Sequence, residues 1–344
     1  MGTPSPGGVM AEHVIPVDLY NPSQVFACLG FLEAADLLLG DAEGGFDWSD
    51  AANVAFRLGA AGDENPVAAV LEFLATATPR RWAPVDYADP PPKKRKSAKR
   101  KDTADVDDEN EGDAESVDRQ EGEMIDLEYS ETFLAPEGDR MSLPIRLGGG
   151  NRLVVELGHW ADGSGRNSFK LYAGNRSAAG IARAMLRGVR EKPKKNQTIG
   201  DLRTKGVRQL WEEQQDELIA RPFDVLTPMG GSFNFDPRGA WTAIDAGYSP
   251  NDQGHQIEAS PVVEFLAAWG LENARPDEFE TRRVRYAAWG VRLPPILARP
   301  ALCGGLTTVP LKLFRFELDM SGKNKVVSFA EPETRHGRTA ETDS

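Results

Sequence analysis

Residues Arg221–Asn251 read RPFDVLTPMGGSFNFDPRGAWTAIDAGYSPN, and the breaks in this stretch organise the reading of the whole chain. Pro228, Gly230, Gly231, Pro237 and Gly239 flank Phe233 and Phe235, whose alternation with Asn234 and Asp236 predicts one short strand between turns. Adjacent glycines let a backbone come close to a partner, and Ser232, Asn234 and Arg238 place hydrogen-bonding groups beside that approach. Two readings stay open here: a tight hairpin that closes a core, or a loop that meets a ligand.

Outward from this stretch the pattern alternates between strands and helices. Ile15–Tyr20 reads as a strand, and Asn21-Pro22 starts a helix with a capping side chain followed by proline at the first helical position. Val25, Phe26, Leu29, Phe31 and Leu32 give that helix a broad apolar face. A strand over Val54–Leu58 and a helix over Pro66–Thr76 follow. Further on, Leu143–Leu147, Arg152–Trp160 and Ser168–Ala173 read as strands joined by glycine-rich turns, of which Gly149-Gly150-Asn151-Arg152 is one. Ser177 caps a helix over Ala178–Arg190, and a second runs from Thr198 or Asp201 to Ala220. Ser260-Pro261 starts another helix through Trp269. Val284–Leu293 reads as a strand, PPILARPALCGGL as a turn region, Leu311–Leu318 as the final strand, and the polar residues after Ala330 as a frayed tail. These elements predict an α+β fold with mixed sheets and packed helices, interrupted by a disordered basic and acidic insert. Residues 1–88 form an N-terminal α/β region, 89–124 the insert, 125–330 an α+β nucleic-acid-binding region and 331–344 a flexible tail.

Composition narrows the function classes. At 344 residues the chain is long enough to bury a large core, and its two cysteines, Cys28 and Cys303, sit in apolar company as expected of reduced thiols. Glu33 and Asp36 interrupt the longest apolar run, so no membrane span is expected, and the N-terminus lacks the pattern of a secretory signal. A soluble cytoplasmic protein follows from these features. Phosphate loops, dinucleotide fingerprints, zinc-protease helices and paired CxxC motifs are all missing, and His13, His159, His255 and His336 are scattered. The sequence therefore predicts neither enzyme nor bound metal nor cofactor.

Charge gives the positive signal. The formal net charge is −13, but Asp102–Asp139 holds sixteen acidic residues against Arg119 alone, so that segment contributes −15 and the remainder sums to +2. Just before it, PPPKKRKSAKRK is a proline-led basic block whose PKKRK also fits a short nuclear-localisation pattern. From Arg166 to Arg208 there are twelve Lys and Arg against Glu191 and Asp201. Arg176, Arg183, Arg187 and Arg190 fall along one flank of the expected helix, and Lys194, Lys195 and Asn196 make a basic turn after it. With Arg152, Lys170 and Asn175 nearby, this region suits a phosphate backbone. The competing reading is a solvated helix face balanced by the acidic insert.

NPSQVFACLGFLEAADLLLG (Asn21–Gly40), PFDVLTPMGGSFNFDPRGAWTAIDAGYSPN (Pro222–Asn251) and PALCGGL (Pro300–Leu306) together resemble the large-subunit family, the Cas-eight group, of Cascade effector complexes from type I-U, also called type I-G, CRISPR–Cas systems. The resemblance implies a non-catalytic subunit of an RNA-guided surveillance complex. Such a subunit contacts the CRISPR RNA, the target double-stranded DNA and the other Cascade subunits, namely the backbone and 5′-handle-binding proteins. It also reads a short protospacer-adjacent motif and helps recruit a helicase-nuclease transiently. Under that reading the basic region holds strands, while Ser232 and Asn234 are candidate base-edge contacts with Arg238 on phosphate. The alternative is a structural scaffold that contacts RNA or partner proteins but not DNA. The chain is short for this family, and the charged insert is no part of the family pattern.

Overall fold

The computed structural model describes residues 9–83, 127–129, 142–149, 153–161, 169–172, 176–191, 193–229, 231–239, 257–321 and 324–333. The charged insert lies outside these residues, as do Arg152, Asn175 and the chain after 333.

Two apolar helices form the centre. The Asn21 side chain accepts the amides of Ser23 and Gln24 at 3.1 and 3.3 Å and launches α1 (Pro22–Leu39), with Pro22 in its first turn. The helix stops at Gly40, whose φ of +83° glycine adopts at little cost. Val25, Phe26, Leu29, Phe31 and Leu32 are wholly buried, and each is worth roughly 1.5–3 kcal/mol on leaving water. That total is large enough to carry Glu33 into the interior, where Arg299 holds it through two contacts of 2.7 Å. By length and composition α1 could cross a membrane, but its window is 78% buried inside the fold.

On either side of α1 in the chain, β1 (Met10–Pro16), β2 (Glu43–Asp47) and β3 (Ala55–Ala61) form an antiparallel sheet in the order β1-β3-β2. The first strand lies earlier than Ile15–Tyr20, because Asp18 and Gln24 turn the backbone before Asn21. The helix α2 (Pro66–Thr76) keeps its expected bounds, capped by Asn65. A second sheet, in the order β5-β4-β6-β7, comprises β4 (Thr78–Ala83), β5 (Leu127–Tyr129), β6 (Ile145–Gly148) and β7 (Val154–Leu157), with only the β4–β5 pair parallel. No strand forms over the described part of Ser168–Ala173, where Phe169 takes a φ of +49° that breaks the extended run.

The basic region folds as α3 (Ala178–Arg187), the ribbon β8 (Val189–Arg190) with β9 (Leu202–Thr204), and α4 (Val207–Ala220). Both helices are shorter than the sequence suggests. Gly188, at a φ of +74°, ends the first, and Gly206 starts the second. A Cβ on Gly206 would lie 2.4 Å from the Gly188 nitrogen, so the two ends touch only because both residues are glycine.

After a two-residue pairing of β10 (Thr227–Pro228) with β11 (Glu258–Ala259) comes α5 (Pro261–Asn273), capped by Ser260 and buried from Pro261 to Leu271. Helices α1 and α5 cross backbone to backbone. A Cβ on Gly30 would sit 2.1 Å from the Leu266 oxygen, and one on Gly270 would sit 2.1 Å from the Phe26 oxygen. The last sheet follows with β12 (Glu278–Glu280), β13 (Arg283–Trp289), β14 (Leu311–Ser321), β15 (Asn324–Val327) and β16 (Glu331–Glu333). Glu331–Glu333 pairs with Leu313–Arg315, so the part of the expected tail that is described belongs to this sheet. The proline-rich PPILARPALCGGL contains α6 (Pro295–Leu302) where turns were expected, because proline in a first turn removes no needed hydrogen bond.

This is an α+β arrangement with six helices and mostly antiparallel sheets among the described residues. Its core is one cluster. Phe26 packs against Tyr286 and Phe316 of the last sheet, while Phe46 and Phe56 pack against Trp289, so residue 88 divides the chain without dividing the core.

Candidate nucleic-acid interface

The Gly231–Gly239 stretch sits between the N-termini of α1 and α5. Glu264, one turn into α5 and buried, accepts the amides of Phe233 at 2.8 Å, Phe235 at 3.0 Å and Asp236 at 2.7 Å. Those bonds replace a partner strand. With Asn234 at a φ of +65°, they explain why Phe233 and Phe235 are both buried, as the alternation predicts, without forming a β-strand. The buried Asp236 carboxylate receives the Asn21 side chain at 3.3 Å and the Ser260 amide at 3.1 Å, which joins the caps of both helices to one side chain. Negative charge at two helix N-termini is favourable. Burial pushes the Glu264 carboxyl up to about 8, and the charge of Asp236 adds to this while the three amides oppose it.

The side chains assigned to base and phosphate contacts in this stretch are engaged within the chain. Ser232 Oγ donates to Asn234 Oδ1 at 2.9 Å, and Asn234 Nδ2 donates to the Leu171 carbonyl at 3.3 Å. Arg238 grips Asp236 through Nε at 2.9 Å and Nη2 at 2.7 Å. Of the two readings left open by the sequence, the geometry favours architecture.

The basic region does converge. Arg183 and Arg187, four residues apart on α3, meet Arg190 of β8 and Arg208, Gln209 and Glu212 of α4 around a cavity of about 470 Å³, floored by Thr78 and Pro79 of β4. Four arginines therefore line the cavity with Glu212. Arg187 is held by three carbonyls at the end of α2: Ala75 at 2.5 Å, Thr76 at 2.8 Å, and Ala77. That contact caps the negative end of a helix dipole and fixes α3 against α2. Burial, and then the charges of Arg208 and Arg183, lower the Arg187 pKa, with Glu212 opposing. Gln209 ties the corner by accepting the Gly206 amide at 2.9 Å and donating to the Arg187 carbonyl at 3.1 Å. Arg190 is oriented by the Gly200 carbonyl at 3.1 Å, and Arg208 by Glu212 at 3.1 Å.

The remaining candidates lie elsewhere. Lys194, Lys195 and Asn196 are exposed on the turn after β8, with Lys194 paired to Asp201 at 3.3 Å. Arg176 packs against Gly231, where an added Cβ would approach its guanidinium to 3.0 Å. Lys170 donates to Ser142 and sits 5.6 Å above the Tyr172 ring. Sequence reasoning counted Arg208 among the bases without placing it in the site, and it missed Thr78 and Pro79, which no local pattern connects to α3. Glu264 had a readable signal as a lone carboxylate in the apolar run PVVEFLAAW.

A second cavity of about 740 Å³ lies between the turn before α1 and β14, lined mainly by apolar groups such as Leu19, Tyr20, Val54, Leu311 and Phe314. Among the described residues no group of three or more His, Cys, Asp or Glu is placed to hold a metal ion.

No known family, curated protein or solved structure matches this chain. The resemblance carried by Asn21–Gly40, Pro222–Asn251 and Pro300–Leu306 rests on those residues alone, and much of what they specify is the joint between α1 and α5.

Proposed function

We propose that this chain is a non-catalytic subunit of an RNA-guided CRISPR effector complex that grips the phosphate backbone of CRISPR RNA and of target duplex DNA with its α3–α4 face. The observation that carries this reading is the convergence of Arg183, Arg187, Arg190 and Arg208 on one cavity. The family resemblance supplies the complex: neighbouring Cascade subunits as stable partners and a helicase-nuclease as a transient one. Reading of the adjacent motif is not assigned to Ser232, Asn234 or Arg238, whose polar groups bond internally.

The reading is tested by tagging the chain and sequencing what co-purifies, with RNA of uniform, repeat-derived length and several partner proteins expected. Combined Arg183→Glu, Lys195→Glu and Arg208→Glu changes should abolish duplex binding by the assembled complex while assembly persists. Loss of assembly instead would favour the scaffold reading. That alternative has its own support in the exposed apolar side chains Ile296 and Leu297 in the first turn of α6. Incubating the purified chain with labelled CRISPR RNA and duplex DNA should leave both intact, and any cleavage would refute the non-catalytic assignment.

A further inference from the structure

We propose that the cavity between the β1–α1 turn and β14 is a pocket for one unstacked nucleotide, with the base against Tyr20, a base amino group on Asp18 and the phosphate on Lys312. The proposal rests on the nucleic-acid reading above and deepens it with a second site, one for an unpaired base, leaving the α3–α4 face its backbone contacts.

Preorganisation is the first argument, because the turn before α1 is held by four separate segments. The Val17 amide donates to the Val54 carbonyl at 3.0 Å and the Asp18 amide to Gln24 Oε1 at 2.8 Å. The Leu19 carbonyl accepts the Tyr286 hydroxyl at 2.6 Å, and the Tyr20 carbonyl accepts the Ala330 amide at 2.7 Å. The side chains of this fixed turn nevertheless face outward: Tyr20 is 50% exposed, and Asp18 is exposed beside it. Phe314 packs edge to face with Tyr20 at 5.7 Å and is itself stacked on Tyr286 at 5.3 Å. An aromatic side chain on so rigid a support offers stacking area with little left to order on binding.

The chemistry of the lining is the second. A volume of about 740 Å³ falls in the range of small-ligand sites, on the order of 300–1,000 Å³, and Leu19, Val54, Leu311 and Phe314 make the interior apolar. Of the charged groups at its edge, Glu333 is taken by Arg285 at 2.6 Å, which leaves Asp18 on one wall and Lys312 on the other. Asp18 accepts the Tyr20 amide at 2.9 Å through Oδ1, and Lys312 Nζ rests 4.9 Å over the Trp48 ring. Among the described residues neither Asp18 nor Lys312 forms an ion pair. The complementary ligand has a flat apolar body, an N–H donor at one end and an anion at the other. A nucleotide has that layout, with a ring face for Tyr20, an exocyclic amine for Asp18 and a phosphate for Lys312. Bases inside a duplex are stacked and paired, so the pocket takes only an unpaired one.

The test is calorimetric titration of the full chain with adenosine, cytidine and uridine 5′-monophosphates, with adenosine and inorganic phosphate alongside. The adenosine and cytidine monophosphates should bind about tenfold or more tighter than the uridine compound, which has no exocyclic amine for Asp18. Asp18→Asn can still accept the Tyr20 amide and should remove that preference. Lys312→Ala should weaken the monophosphates about fivefold or more and leave adenosine within about twofold. Tyr20→Ala should weaken every nucleotide about tenfold, whereas Tyr20→Phe, which keeps the ring, should bind as the parent does. A short unstructured single strand that binds tighter than the monophosphates identifies a strand as the source, and one that binds no tighter identifies the free nucleotide. Monophosphates that bind no tighter than inorganic phosphate, or affinities that all of these variants leave unchanged, overturn the proposal. If the single strand responds to the combined Arg183→Glu, Lys195→Glu and Arg208→Glu changes but not to Tyr20→Ala, the pocket fails and the nucleic-acid reading stands. If the monophosphates bind as described and no strand does, the pocket stands and that reading fails.

Discussion

Replacing Glu264 by Gln sets two opposing effects against each other at one buried site. The three amides that converge on the carboxylate favour its charge, and burial opposes it. Burial wins in the balance above, with the folded-state value near 8 against an ordinary 4.5. A carboxyl whose pKa is raised by folding contributes most to stability below its unfolded value. That contribution is lost as pH rises through the window from 4.5 to 8 and is level above it. At 1.36 kcal/mol per unit, the loss between pH 5 and pH 8 is roughly 3–4 kcal/mol. Gln has the shape of the protonated carboxyl and does not titrate. Its amide nitrogen cannot accept the Phe233 amide, so Glu264→Gln should lie about 1–3 kcal/mol below the parent at pH 5 and gain roughly 3–4 kcal/mol on it between pH 5 and pH 8. Urea unfolding of both proteins at pH 5, 6, 7 and 8 measures the difference directly. Parallel stability profiles across that range would sink the reasoning, because the amides would then hold the group at an ordinary carboxylate value. Glu264→Ala provides the scale. It strands three buried amides at about 1–3 kcal/mol each and should be severely destabilising at every pH.

Other predictions follow from single contacts. Gly30→Ala and Gly270→Ala each drive a methyl into the backbone of the opposing helix and should cost at least about 1–3 kcal/mol, with the double variant less than additive because both changes part the same contact. Arg187→Ala should lower stability by roughly 2–4 kcal/mol through the loss of the α2 cap, which thermal denaturation measures. Asn21→Ala removes the cap of α1 and one bond to Asp236 and should cost about 1–2 kcal/mol, measurable by denaturant midpoint.

The parts of the fold that were legible in the sequence were those decided locally. Asn21-Pro22 and Ser260-Pro261 each announce a first turn, and both start helices. The boundaries that misled were set by distant groups. Gly206 delays α4 because the chain must press against Gly188, and Phe233–Phe235 lacks a strand because its amides go to a side chain on α5. The run of bases from Arg166 to Arg208 marked the candidate site by composition. Composition could not separate Arg187, which clamps α2, from Arg183 and Arg208, which complete the cavity, because that division depends on carbonyls about a hundred residues away.

The Glu264 and Asp236 joint also bears on which amides meet solvent deuterium. Phe233, Phe235 and Asp236 lie in a segment without secondary structure, the kind of loop whose N–H groups ordinarily exchange within seconds to minutes. Here their acceptor is a carboxylate inside the α1–α5 crossing, so exposing them means separating the two central helices. Their exchange should be as slow as that of the core of α5, and a map of protection along the chain would pick out this loop as part of the last unit to open.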